Sequence, residues 1–122
     1  MDKLETMIID DIKYVREDSI SQKKVDTDGL PYSIVRCDRS GVYAGFVSKD
    51  DGKVVEIKRA RKLWYWDGAA SLSQLSVDGV SKPESCKFPC EVDFVSVRDC
   101  IEIIPATNKC YESIKGVSIW AA

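Results

Sequence analysis

Alternating apolar and polar positions along the chain predict a series of short β-strands. β-branched residues favour a strand over Thr6–Val15, although Ile8, Ile12 and Val15 also fit one helical stripe. Residues 16–30 are polar and predict a loop. Further strands are expected over Tyr32–Cys37, Val42–Val47, Val54–Trp66, Cys86–Phe94, Ile101–Ile104 and, as a short closing strand, Val117–Trp120.

Turn and cap residues separate these runs. Asp38–Gly41 predicts a turn, and Lys49–Lys53, which contains an Asp-Gly pair, predicts a hairpin between its two flanking strands. Two short helices are expected: Ala70–Val77, followed by Gly79, and Thr107–Lys115, capped by Thr107 or Asn108 and ended by Gly116. The elements together predict an α+β fold, a small antiparallel sheet with two short helices. We expect one domain over residues 1–122, with residues 1–30 as an arm or a strand plus loop.

Composition narrows the function more than the fold. The 122 residues suit one domain, and 18 basic against 20 acidic side chains do not suit a general binder of long nucleic acid. The chain has no histidine, which excludes Ser-His-Asp and Cys-His catalysis and every histidine metal site. We see no signal peptide and no apolar run of membrane-spanning length. An odd number of cysteines, 5, then favours a reduced cytoplasmic protein.

The cysteines invite a metal site, and their spacing argues against one. On a strand, Cys86 and Cys90 lie roughly 13 Å apart, too far for a shared ion or a disulfide. Both share the apolar parity of Phe88, which predicts core cysteines acting as small hydrophobic residues. A thiol nucleophile would have no histidine to activate it. We therefore expect no metal, no cofactor and no catalytic residue.

A basic run, Lys58–Lys62, raises a question of register. Arg59 and Arg61 share the strand parity of Ile57 and Leu63, so two guanidinium groups would point to the apolar side. A β-bulge would change that register. Otherwise the arginines face an acidic partner or an anionic ligand, or this end of the sheet is simply solvated. Arginine is well suited to bidentate phosphate contacts.

An aromatic run follows directly. Trp64 and Trp66 share one face and Tyr65 takes the other, so another element, another subunit or a ligand must cover at least one set of rings. The small residues 68–71 then lead into a helix N-terminus, whose free N–H groups attract anions. Stacking rings, arginines and these N–H groups suit a nucleotide, whereas a core or dimer interface explains the rings equally well. Residues 105–109 form a second helix entry, as an anion site or a simple cap.

The run RKLWYWDGAASLSQL at residues 61–75 resembles the type-one Thoeris anti-defence family of phages and prophages. Cys86-Lys87-Phe88, residues 101–105 and the pair Ile119-Trp120 are also similar to it. The resemblance implies a protein that binds glycocyclic ADP-ribose, the signal made by TIR-domain defence proteins, in the host cytoplasm. It would hold the signal intact, so the downstream effector stays silent. It also implies homodimers or assemblies of dimers with interfacial pockets, and some members bind cyclic oligonucleotides.

The resemblance implies roles for nine residues. Trp64 and Trp66 would stack on adenine or line the pocket. Arg59 or Arg61, with Arg39 or Lys109 from elsewhere in the dimer, would meet the diphosphate. Ser71, Gln74 and Asn108 would bond ribose hydroxyl groups. Two other functions stay open: a hydrolase of the same signal, with Glu102 or Asp67 as general base, and a small phage structural or protein-interaction module.

Overall fold

Turns and short loops separate the strands and helices of the chain. The computed structural model describes residues 23–26 and 28–121, so the strand predicted over Thr6–Val15 lies outside the described residues. The strands are β1 Tyr32–Cys37, β2 Val42–Asp50, β3 Val55–Lys62, β4 Val92–Val97 and β5 Cys100–Pro105. The helices are α1 Leu72–Asp78 and α2 Asn108–Lys115, and a short 3-10 helix spans Pro83–Ser85. The predicted small α+β fold is confirmed.

The five strands form one antiparallel sheet in the order β4-β3-β2-β1-β5. The consecutive strands β4 and β5 lie at opposite edges, yet only Arg98 and Asp99 separate them in the chain. Three Cα–Cα steps span at most about 11 Å. A flat sheet would hold its two edge strands about 19 Å apart. The sheet must therefore curl until the end of β4 lies near the start of β5.

The corner between β4 and β5 is fastened to the turn between β1 and β2. The Asp99 carboxylate accepts bonds from the backbone N–H groups of Arg39 and Ser40 at 2.6 and 2.7 Å, and from the Ser40 hydroxyl at 2.7 Å. The Asp38 N–H donates to the Asp99 carbonyl oxygen at 2.8 Å. The bonds from Ser40 and Arg39 lower the pKa of Asp99 to about 2.

Curling gives the sheet two buried faces, each with its own core. Helices cover one face, where Leu75 of α1 and Ile114 of α2 pack in one cluster with Ile34 and Phe46 of the sheet. The other cluster is built from strand residues alone: Val35, Cys37, Val55, Ile57, Ala60 and Val97, with Tyr43, Val47, Val95, Cys100 and Ile103 packed against them. The curved sheet thus covers its own second face, so the described residues bury two apolar surfaces with only two α-helices.

A β-bulge in β3 settles the register of the basic run. Phe46 pairs with Lys58 and Ala44 pairs with Arg61, so between these two pairs β3 contains one residue more than β2. The extra residue is Arg59, whose φ of 50° is in the left-handed region. After the bulge, Arg61 shares the face that the helices cover. The bulge, among the alternatives left open by the sequence, is confirmed.

The strand predicted over Cys86–Phe94 is wrong in its first half. Pro89 has no N–H to donate to a ladder, and the regular strand begins only at Val92. Cys86 and Phe88 are buried as predicted, whereas Cys90 is exposed. Val92 and Phe94 are also exposed, because the side chains of β4 that pack into the core are Val95 and Val97, which have the opposite parity.

Two other predicted strands are shorter than expected. β3 ends at Lys62, four residues before Trp66. The Leu63 N–H still donates to the Val42 carbonyl oxygen of β2 at 2.8 Å, and beyond it Tyr65 forms an isolated bridge with Lys87. The predicted closing strand over Val117–Trp120 is a single parallel bridge between Phe88 and Ile119.

Candidate ligand-binding site

Three chain segments from distant parts of the sequence meet beside the end of β3. The Lys87 N–H donates to the Tyr65 carbonyl oxygen at 2.8 Å, and the Trp120 N–H donates to the Phe88 carbonyl oxygen at 2.9 Å. These bonds place residues 64–65, 87–88 and 119–120 side by side. The side chains of Trp64 and Trp120 therefore meet across residues 87–88, although they are far apart in the chain.

The two indoles stack in parallel. Their ring centroids lie 5.2 Å apart and their planes differ by 6°. The Nζ atom of Lys87 lies 5.4 Å from the Trp64 centroid and 5.8 Å from the Trp120 centroid. Trp64 remains 57% exposed, Trp120 40% and Ile119 65%. We call Trp64, Lys87, Ile119 and Trp120 the tryptophan patch.

The patch borders a cleft of about 450 Å³, to which Trp120, Ile119, Ser118 and Glu84 contribute. Aromatic faces stack on bases, a lysine attracts phosphate, and serine and glutamate side chains bond hydroxyl groups. Cys86 also lines this cleft, and burial raises the pKa of its thiol, which disfavours the nucleophilic thiolate. The arrangement is therefore suited to binding a planar, anionic ligand.

Trp64 is among the site residues predicted from the sequence, whereas Trp120 and Lys87 are not. The sequence offered one signal for Trp120. The apolar pair Ile119-Trp120 lies beyond Gly116, which ends α2, and two large apolar side chains there need other side chains to pack against. Trp66, the other predicted stacking residue, is half-buried and packs against the helix-covered core. Tyr65 lies between the two tryptophans in sequence and is 49% exposed.

Arg61 occupies a different environment from the one predicted. Its side chain is buried, and its guanidinium group donates to four backbone carbonyl oxygens, those of Phe88, Pro89, Ile114 and Val117, at 2.8–3.1 Å. A guanidinium has five N–H groups, so four are already used. Burial lowers the pKa of Arg61 from its ordinary value. Arg61 thus clamps the segments that carry the patch, and a phosphate would have to displace these bonds.

Arg59 lines a separate cleft of about 280 Å³ between β3, α2 and residues 24–26. Its guanidinium carbon lies 4.4 Å from the Phe46 ring centroid, and its Nη2 atom lies 3.5 Å from Asp26. Lys24 lies over Tyr111 at 4.3 Å. The cleft combines aromatic rings with cations, but the carboxylate of Asp26 already partly neutralises Arg59.

The remaining predicted residues lie on two further surfaces. Arg39 is exposed in the turn between β1 and β2, and Asn108 is the first residue of α2. Gln74 and Lys109 both line a cleft of about 660 Å³ between the helices. The Ser71 hydroxyl caps α1 by accepting the Gln74 N–H at 3.1 Å. The structure thus brings Gln74 and Lys109 to one cleft and places Trp64, Arg59, Arg61 and Arg39 in four different surroundings.

The fold and these surfaces define a small α+β domain with an exposed aromatic patch. The chain belongs to the family described as "Domain of unknown function (DUF6948)", whose model matches residues 30–114. The match covers the whole sheet and both helices except the last residue of α2, and it ends before Trp120. No curated protein and no solved structure matches the chain. Among the described residues, no helix is long and apolar enough to cross a membrane, and no group of three or more potential ligand side chains is placed to hold a metal ion.

Proposed function

We propose that this protein is a non-enzymatic binding protein that sequesters a cyclic nucleotide signal, glycocyclic ADP-ribose. It acts in the cytoplasm of an infected host, as a homodimer or an assembly of dimers, and keeps the signal from its effector. The observation that carries the proposal is the exposed, parallel stack of Trp64 and Trp120 with Lys87 over both rings. The resemblance of residues 61–75 to anti-defence proteins supports the same function.

The patch supplies the contacts that such a ligand needs. Adenine stacks on an indole, Lys87 approaches the diphosphate, and Ser118 in the adjoining cleft bonds a ribose hydroxyl. Stacking contributes about 1–3 kcal/mol per base, which corresponds to roughly 5- to 150-fold in affinity. The edge strands expose apolar side chains, Val92 and Phe94 on β4 and Ile101 on β5. A second copy of the chain would cover these side chains in a dimer.

Binding without cleavage suits the placement of the carboxylates considered for a hydrolase. Glu102 lies on β5 and pairs with Arg36 at 3.6 Å on the surface. Asp67 lies in the loop after β3 and accepts the Gly68 N–H at 2.7 Å. The two groups belong to different elements, and neither lines the cleft beside the tryptophan patch. The signal should therefore be held without a general acid–base pair acting on it.

A capture-and-release experiment tests this function. The protein is incubated with glycocyclic ADP-ribose and separated by filtration, then denatured by heat, and the released ligand is identified by mass spectrometry. We expect depletion of the ligand from the filtrate and recovery of the intact cyclic molecule. Recovery of a linear product would instead identify a hydrolase. No depletion would contradict nucleotide binding and favour an interaction module.

Matched variants locate the site. Trp64→Ala and Trp120→Ala should each weaken binding by at least about fivefold, because each removes part of the stack. Lys87→Gln should weaken binding as well. Tyr65→Ala is the control, since Tyr65 is similarly exposed, adjacent in sequence and outside the stack. Equal affinities for all four variants and the parent would remove the patch from the proposal.

A further inference from the structure

Cys37 and Cys100 face each other across two neighbouring strands. Cys37 ends β1, Cys100 begins β5, and the two are direct register partners in the antiparallel pair. Both side chains belong to the core cluster on the face without helices, where Cys37 is buried and Cys100 packs against the cluster. Residues 38–99 separate these two thiols in the chain, so local spacing gives no sign that they meet.

The hydrogen bonds show which kind of cross-strand pair they form. The Asp38 N–H donates to the Asp99 carbonyl oxygen at 2.8 Å. Asp38 and Asp99, the pair next to Cys37 and Cys100, therefore form a hydrogen-bonded pair. The Cys37 N–H points away from β5 and donates to the Gly41 carbonyl oxygen, on the other side of β1, at 2.8 Å. Antiparallel pairs alternate, so Cys37 and Cys100 form a non-hydrogen-bonded pair, with Cα atoms about 4.5 Å apart. That spacing lies within the range of about 4.4–6.8 Å that a disulfide requires.

We propose that Cys37 and Cys100 are a thiol pair that forms an intramolecular disulfide when the protein meets a small oxidising disulfide such as oxidised glutathione. The inference rests on the register and hydrogen bonds of the sheet and is independent of the proposed ligand. The reversible bond would lock the edge strand β5 to β1. It would also stiffen one wall of the cleft of about 340 Å³ that Cys100 lines with Asp50, Lys53 and Glu102.

The reaction balances as two successive thiol–disulfide exchanges. Cys100, the more exposed thiol, loses its proton and attacks one sulfur of oxidised glutathione, releasing one reduced glutathione. Cys37 then loses its proton and attacks the Cys100 sulfur of the mixed disulfide, releasing the second glutathione. Two protein thiols are oxidised by two electrons, and one glutathione disulfide is reduced. Burial raises the pKa of Cys37 to about 11, and burial also raises that of Cys100, so the exchange should be slow at neutral pH.

The test uses the full chain with Cys90→Ser, which removes the exposed competing thiol. The protein is incubated with excess oxidised glutathione at pH 8.5, alkylated, digested without reduction and mapped by mass spectrometry. We expect a linked peptide pair containing Cys37 and Cys100. We also expect a rise of roughly 5–15 °C in the melting temperature that a reductant reverses, since the bond closes a long loop.

A second variant separates this pair from general oxidation. Cys90→Ser combined with Cys100→Ser should give neither the linked peptides nor the rise in melting temperature under the same treatment. A glutathione adduct that persists on Cys100, a link that uses Cys86 or Cys110, or thiols that stay unmodified for a day would each overturn the proposal. The linked peptides without glycocyclic ADP-ribose binding would support this pair while rejecting the proposed function.

Discussion

Replacing Arg61 by methionine removes one buried charge and four hydrogen bonds while keeping a side chain of similar length. The guanidinium group donates to the carbonyl oxygens of Phe88, Pro89, Ile114 and Val117. Phe88 and Ile114 keep a backbone partner after the substitution, since their oxygens also accept other N–H groups. For the oxygens of Pro89 and Val117, Arg61 is the partner found among the described residues.

The expected loss of stability follows from the carbonyl oxygens of Pro89 and Val117, which lose their partner. An unsatisfied buried carbonyl costs about 1–3 kcal/mol, and removing the buried charge offsets part of the total. We expect Arg61→Met to lower the free energy of unfolding by about 3 kcal/mol. Domains are typically stable by about 5–15 kcal/mol, so this is a large fraction of the whole. Arg61→Lys should lose most of the same free energy, because a single ammonium cannot reproduce the planar fork.

Urea denaturation followed by circular dichroism measures the effect. With a slope of about 1–3 kcal/mol per molar urea, the midpoint should fall by roughly 1–3 M while the slope is unchanged. Arg36→Met is the control. Its side chain forms a surface pair with Glu102 at 3.6 Å, and such pairs contribute about 0–1 kcal/mol. A midpoint for Arg61→Met equal to that of the parent, together with lost nucleotide affinity, would refute the clamp and restore Arg61 as a phosphate ligand.

Two further predictions, made with three substitutions, test the sheet. The pKa of Asp99 is about 2 in the folded protein, below its ordinary value, so its carboxylate stabilises the fold above about pH 4 and that contribution disappears as the pH falls toward 2. Asp99→Asn should therefore lose less stability than the parent between pH 4 and 2 in thermal melts, and parallel curves would contradict stabilisation by the bonds from Arg39 and Ser40 to the Asp99 carboxylate. Gly45→Ala places a Cβ against Ile57 and should cost about 1–3 kcal/mol in the same assay. Gly52→Ala, which meets open space but has a φ of 88°, should cost less, and the reverse order would contradict the packing.

Local signals were sufficient wherever one segment determines its own structure. The Asp-Gly pair marked the hairpin between β2 and β3, and Gly79 marked the end of α1 at a φ of 75°. The sequence predicts Thr107 or Asn108 as the cap of the second helix, and the structure has Thr107, whose hydroxyl accepts the Cys110 N–H at 3.1 Å. These signals depend on backbone geometry within a few residues, so no tertiary information was needed.

The alternation of apolar and polar residues led to a wrong prediction where the chain does not pair with a neighbouring strand. The run from Cys86 to Phe94 alternates as a half-buried strand should, but Pro89 interrupts it and only the part from Val92 joins the sheet. In β4 the side chains that pack into the core are Val95 and Val97, so Phe94, which has the opposite parity, is exposed. A period of two reports which side chains share a face and does not report whether another layer covers that face.

The sequence by itself determined the class of the fold, the positions of its turns and caps, and the presence of an aromatic run after a basic one. Tertiary structure decided what those residues contact. Arg61 donates to carbonyl oxygens in two segments, residues 88–89 and residues 114–117. Trp64 stacks on Trp120, and Cys37 lies opposite Cys100 in the sheet. Each of these contacts joins segments more than twenty residues apart. Such contacts depend on how the sheet curls and where its edges meet, which local propensity does not encode.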